Sequence, residues 1–237
     1  MMSAKPASKR IYTVDLMRFF AIVLMVIFHF IYDLKFFGWV PSTIPDGHGW
    51  REFRYVILTL FFLCVGFSLA AVHGSGFKQK HFIKRFIQLL LASAAVTISS
   101  LIMAPNNWIF FGVLHFIAIA SVICVPLARF PYAALFAGVI IIAAFNLGWV
   151  SSIWPFQPIR HLLPGYTNDY VGLFPWTGVV FIGIWLCYQQ WFLNDPAHRF
   201  ARSKIVLFAS KHSLIIYLIH QPIMFAIFGL IGVFWQA

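Results

Sequence analysis

Seven long apolar runs, separated by short polar or Pro- and Gly-containing breaks, dominate the pattern of this chain. The runs are Leu16–Phe37, Tyr55–Val72, Phe86–Ala104, Trp108–Ala128, Tyr132–Val150, Phe174–Phe192 and Ser213–Phe234. Each approaches the roughly 20 residues that a helix needs to cross the hydrocarbon core. Helix breakers fall between them: Pro41 and Pro45, Gly74 and Gly76, Pro105, Pro131, Pro155, Pro158 and Pro164, and Pro196. The pattern predicts an all-α, polytopic transmembrane bundle of about seven helices in a single domain, residues 1–237. Ala201–Ser210, with Arg202 and Lys204 among apolar residues, reads as a short interfacial helix. Trp154–Val171 is the longest outer loop and is expected to fold back over the bundle.

Composition narrows the class. Of 237 residues, 62% are hydrophobic and only 10% charged, and the mean hydropathy is +0.87, so too little polar surface exists to face water on every side. A soluble globular enzyme is excluded. The formal charge of +11 does not point to nucleic acid, because the basic residues sit between apolar runs and not in one patch. With the N-terminus in the cytoplasm, the inner side collects twelve Lys and Arg and the outer side four, which predicts that orientation. The basic start followed by an apolar run lacks a small-residue cleavage site and reads as the first membrane helix. Cys64, Cys124 and Cys187 lie inside apolar runs without metal-ligand or paired spacing and read as buried thiols. No metal site and no tightly bound cofactor are expected.

The first run carries an unusual polar stripe. Asp15, Arg18, Ile22, Met25, His29 and Asp33 follow the spacing that keeps side chains on one helical face. At 1.5 Å per residue, Asp15 and Asp33 stand roughly 27 Å apart, close to the hydrocarbon thickness. A lipid-facing charge at depth costs several kcal/mol, so the stripe should face protein or a wet cavity. Asp15 and Arg18 either pair with each other or headgroups or line a ligand route. His29 and Asp33, one turn apart, suit a carboxylate that holds an imidazole in one tautomer and raises its basicity.

Other ionisable groups join the candidates. His115 lies in the fourth run at a depth expected to match that of His29; it reads either as a packed, hydrogen-bonded side chain or as a catalytic partner. His48, between Gly47 and Gly49, reads as a solvated loop side chain, with acceptor binding as the alternative. Asp169 precedes the sixth run, where it either caps that helix or grips an acceptor group. Lys211 and His212 open the seventh run, and His220 follows beside Gln221 and Pro222, where the proline should free a backbone carbonyl near Tyr217–Leu218. Lys84, Arg85, Arg18 and Lys211 either follow from membrane topology or receive an anionic ligand such as a coenzyme's phosphates. Gly-rich phosphate loops, His-Glu zinc signatures and serine elbows are absent, which leaves histidine and carboxylate chemistry.

Several stretches, read in order, resemble one family. These are Val14–Ala21 with Met25, Phe28–Leu34 and Phe37–Gly38, then Leu60–Leu69, Phe111–Ile117, Asp169–Trp176 and His212–Pro222. They resemble bacterial proteins grouped with the heparan-alpha-glucosaminide N-acetyltransferase catalytic domain; the first helix and the Tyr217–His220 segment also resemble the larger acyltransferase-3 family. Where the animal enzyme's first helix carries an Asn, this chain has His29, and His48 lies in the loop corresponding to the one that holds the animal catalytic histidine. The resemblance implies a membrane acyltransferase in a bacterial inner membrane. Its co-substrate would be an acyl-CoA, acetyl-CoA above all, and its acceptor a hydroxyl or amine on a glycan or other small molecule at the outer face.

Under that reading His29, Asp33 and His115 are catalytic, while Asp15, Arg18, His48, Asp169, Trp176, Lys211, His212 and His220 bind donor or acceptor. A proton-coupled small-molecule transporter using the same stripe is the alternative, which the lack of an internal repeat disfavours. An envelope scaffold without chemistry is the third possibility.

Overall fold

The computed structural model describes residues 10–40, 47, 49–165, 167 and 169–235, with side chains through Ile231. All ten α-helices follow from apolar runs or their flanks: α1 (Tyr12–Phe36), α2 (Trp50–His73), α3 (Gln79–Met103), α4 (Val113–Cys124), α5 (Pro131–Asn146), α6 (Trp176–Leu186), α7 (Gln190–Leu193), α8 (His198–Ala201), α9 (Lys204–Lys211) and α10 (Ser213–Trp235). No strand occurs among the described residues. All seven predicted windows contain helix, and among the described residues α1, α2, α3 and α10 are long and apolar enough to cross a membrane.

Windows four to six hold shorter apolar helices than their sequence length suggests. There α4, α5 and α6 run for only 12, 16 and 11 residues. The causes are local. An extended Gly112 delays the start of α4, and the chain tightens into a 3-10 turn at Val125–Leu127 around Pro126. Gly148, at φ +76°, ends α5 by letting Gly148 N–H reach Phe145 O and Trp149 N–H reach Ala144 O. The same device ends α1, where Gly38 lies at φ +74° and Trp39 N–H reaches Leu34 O.

The chain forms two compact units, one built on Phe62–Asn194 and the other on Ile11–Phe61 with Asp195–Ala237. In the first, α5 packs along α6, α3 against α4, and α4 against α6. Glycines permit this approach, since a Cβ on Gly66 would strike Val180 O and one on Gly183 would strike Leu63 O. Gly138 and Gly178 are mutually close, each blocked by the other's carbonyl at 2.8 Å from a Cβ. Without water to drive apolar helices together, close backbone approach over small residues is how membrane helices gain dispersion contacts. Phe62 and Phe116, both fully buried with ring centroids 4.3 Å apart, fill the space beside these crossings.

Described residues of the 154–171 loop bond within their own unit. The Tyr170 hydroxyl donates to Ser152 O at 2.6 Å, Thr167 donates to Trp108 O, and the Val171 N–H reaches Phe111 O. Burial pushes the Tyr170 phenol up to about 12, against the opposing Arg160 charge.

In the second unit α1 packs against α8, α9 and α10. The predicted stripe on α1 is its inward face: Asp15, Ile22, Met25 and Asp33 are buried. The residues read as an interfacial helix form α9, with Val206, Ala209 and Ser210 buried and Ile205 and Phe208 exposed. The N-terminus of α1 is capped from far along the chain. The Asp195 carboxylate accepts the Tyr12 and Thr13 N–H groups at 3.0 and 2.7 Å and the Thr13 hydroxyl at 2.6 Å, while Thr13 Oγ1 accepts Ala197 N–H. Asp195 sits at φ +55°, a conformation that Asp tolerates better than most side chains.

Candidate functional site

At one end of α1, Asp15 is 7% exposed and accepts a 2.6 Å hydrogen bond from the Ser210 hydroxyl of α9. Ser210 Oγ in turn accepts from the Arg18 guanidinium at 3.2 Å. Ser210 thus links the two ionic groups, one turn apart on α1, to a second helix. Beyond Ser210, Lys211 is exposed, and the half-buried His212 sets its Nδ1 against Phe208 O at 2.9 Å.

At the other end, four polar residues meet on α1 and α10. Asp33 is 0% exposed, and its Oδ1 accepts the Gln221 side-chain amide at 2.7 Å. The rings of His29 and His220 meet edge to face, centroids 4.9 Å apart. His220 Nδ1 lies 2.6 Å from Tyr217 O; a carbonyl only accepts, so Nδ1 carries hydrogen and the neutral ring keeps its lone pair on Nε2. That contact falls where Pro222 was expected to loosen the ladder of α10. Aromatic packing frames the cluster: Phe28 lies against His29, Trp50 and Phe53, and Phe37, Phe225 and Phe228 lock α1 to α10 beyond Asp33.

The expected grip of Asp33 on His29 is replaced by the Gln221 contact. Helical side chains at i and i+4 share a face, but both lean toward the N-terminus, so the short Asp33 stem does not close on a ring leaning away from it. Among the described residues no hydrogen bond joins the two. Three buried side-chain atoms here lack any hydrogen-bond partner: Asp33 Oδ2, His220 Nε2 and Gln221 Oε1.

His115 and Asp169 belong to the Phe62–Asn194 unit. His115 Nδ1 accepts the Gly112 N–H at 3.2 Å, and Nε2 pairs with Thr97 Oγ1 at 3.1 Å, while Thr97 donates onward to Ile109 O at 2.8 Å. Both ring nitrogens are therefore engaged in joining α3 to the start of α4. Asp169 Oδ2 accepts the Val113 N–H at 3.4 Å, so the acid serves the N-terminus of α4, not of α6 as expected. The N-cap of α6 is Pro175, with no side-chain cap. Trp176 is buried with its ring 5.6 Å from Phe62. His48 lies outside the described residues.

The structure thus unites His29, His220 and Asp33 in one cluster, Asp15 and Arg18 in a second, and His115 with the Asp169 cap in a third. Ser210, Thr97, Gln221 and Asp195 escaped the sequence reading. Gln221 alone left a signal, as an amide inside an apolar helix beside a histidine. Among the described residues no group of three His, Cys, Asp or Glu side chains is placed to hold a metal ion.

Comparison with known proteins agrees with the resemblance seen in the motifs. The family model described as heparan-alpha-glucosaminide N-acetyltransferase, catalytic, matches residues 10–222, which takes in α1 through the His220–Pro222 turn of α10. No curated protein and no solved structure matches the chain. A match over nine-tenths of the chain, together with four helices able to span a bilayer, places the protein among membrane acyltransferases: the chain belongs to the heparan-alpha-glucosaminide N-acetyltransferase catalytic-domain family.

Proposed function

We propose that the protein moves an acyl group, acetyl in the simplest case, from an acyl-CoA on the cytoplasmic side to a hydroxyl or amine of a glycan or other small acceptor at the outer face of a bacterial inner membrane. The observation that carries this reading is the cluster at the Asp33 end of α1, where buried acceptor atoms are left without partners in a chain of an acetyltransferase family. Buried polar atoms are normally satisfied, and a standing set of unsatisfied ones marks a place built for something else to bind.

In the reaction, the thioester C–S bond breaks and a C–O or C–N bond forms. His29 takes the proton that the acceptor loses, and the departing thiolate ends as a free thiol. His220, its tautomer set by Tyr217 O, binds the reacting groups beside His29. Asp15, Arg18, Lys211 and His212 serve the donor, with the cations meeting its phosphates. Exclusion of water strengthens each hydrogen bond that grows in the transition state.

The test is acceptor-dependent release of free thiol from acetyl-CoA by protein in proteoliposomes, scanned over amine and hydroxyl acceptors. Release that disappears in a folded His29→Ala variant is the expected result. Wild-type rates in that variant would remove His29 from the chemistry. Solute uptake without thioester consumption would support the transporter instead.

A further inference from the structure

The three partnerless atoms share a property that follows from their neighbours. Gln221 donates its amide N–H to Asp33 Oδ1, so its Oε1 is a bare acceptor. Tyr217 O takes the Nδ1 hydrogen of His220, so Nε2 of the neutral ring is also an acceptor, and Asp33 Oδ2 as a carboxylate is a third. Gln221 bridges the set: it clamps one carboxylate oxygen of Asp33 while the other stays without a partner. The residue lies 188 positions from Asp33 in the chain, so this contact, with the aromatic lock beyond it, fixes the register of α10 on α1 at the site.

Resting on the acyl-transfer reading, we propose that Gln221 is a positioning residue for that reaction: it acts through Asp33 by holding Oδ1, so that Oδ2 alone is presented to the reacting groups. Its amide is needed as a donor, and neither an apolar side chain nor an ionised one replaces it.

Two variants separate positioning from simple packing. Gln221→Leu keeps the bulk and loses the donor. Gln221→Glu sets a second carboxyl against Asp33, and two such groups at contact share one proton. While that proton is held, the new carboxyl donates to Asp33 as the amide did; once it leaves, the pair repels. The titratable or charged groups facing this pair are His29 on α1, His220 on α10 and, beside His29, Arg54 on α2; the Ser210 contact places α9 at the Asp15 end of α1. Rates are therefore taken as ratios to wild type at each pH, which cancels titrations common to all proteins.

Gln221→Leu is expected to lower kcat by about 10²-fold at every pH, with KM for acetyl-CoA unchanged within about twofold. Gln221→Glu is expected to match that loss at about pH 8 and to recover at least tenfold of it at about pH 5. Thermal unfolding supplies a readout independent of catalysis: the Tm of Gln221→Glu should fall relative to wild type between those pH values, and the fall should vanish when Asp33→Asn is added. Equal and pH-independent rates in the two variants, or a Tm change that survives Asp33→Asn, would overturn the assignment. Wild-type protein that releases no thiol would sink the acyl-transfer reading and the kinetic part with it, while the Tm comparison still judges the Gln221–Asp33 contact separately.

Discussion

The two units treat polar side chains in opposite ways. In the Phe62–Asn194 unit hydroxyls turn back onto the backbone: Ser93 to Leu89 O, Ser121 to Ile117 O, Thr177 to Leu173 O and Tyr188 to Ala128 O. Even His115 spends both nitrogens on its own neighbourhood. In the α1/α10 unit Asp33, His220 and Gln221 each keep an unused buried atom. Glycine crossings and satisfied hydroxyls stabilise the first unit, whereas buried acceptors left unused cost stability in the second, as the proposed binding role of that cluster requires. The two units thus differ in where the hydrogen bonds of their polar residues end, not in the residue types they use.

Mutation should break the comparison in a definite order. Gly66→Ala drives a Cβ into the backbone of Val180, which cannot yield as a side-chain tip does, and is expected to cost about 3 kcal/mol or more, read as lost yield and lowered Tm. Gly229→Ala in α10, with nothing within 4 Å of the new Cβ, is its control and should leave Tm unchanged or slightly raised. Thr97→Val strands the His115 Nε2–H and the Ile109 carbonyl, for a loss of about 1–3 kcal/mol in thermal unfolding.

Asp195→Ala uncaps α1, for about 1 kcal/mol. Partial burial pushes the Asp195 carboxyl up, but donation from Thr13 and Tyr12, with His198 nearby, brings it below the usual carboxylate range. The cap's contribution is then complete above that range and fades as pH falls through the lowered value, so the Tm gap between variant and wild type should narrow in acid. Smallest in stability is Asp33→Asn, which keeps an acceptor for Gln221 and removes a buried charge; Tm should hold or rise while acyl transfer is lost. A large Tm loss in Asp33→Asn, or none in Thr97→Val, would erase the distinction between the units.

Much of this was legible in the chain. The apolar runs announced the helices, and the spacing of Asp15, Ile22, Met25 and Asp33 announced the buried face of α1, because helical periodicity is local. The lengths of α4, α5 and α6 were overread, since apolar composition continues past the backbone breaks at Gly112, Pro126 and Gly148. The site was half legible. His29 and Asp33 stood out as ionisable groups in an apolar helix, but the partner of each lies on α10, and nothing in local spacing says that residue 221 meets residue 33. For Asp169 the sequence leaves a cap of α6 or an acceptor grip open, and the acid meets the start of α4 instead, because a loop acid reaches whichever helix start the fold brings to it.

The clasp of Asp195 on Tyr12 and Thr13 joins positions 183 and 182 apart. During synthesis α1 is therefore made with those amides bare, and they must borrow water or lipid headgroups until residue 195 follows. Closure of this clasp waits for residue 195, so a truncation before that position would leave α1 unfastened.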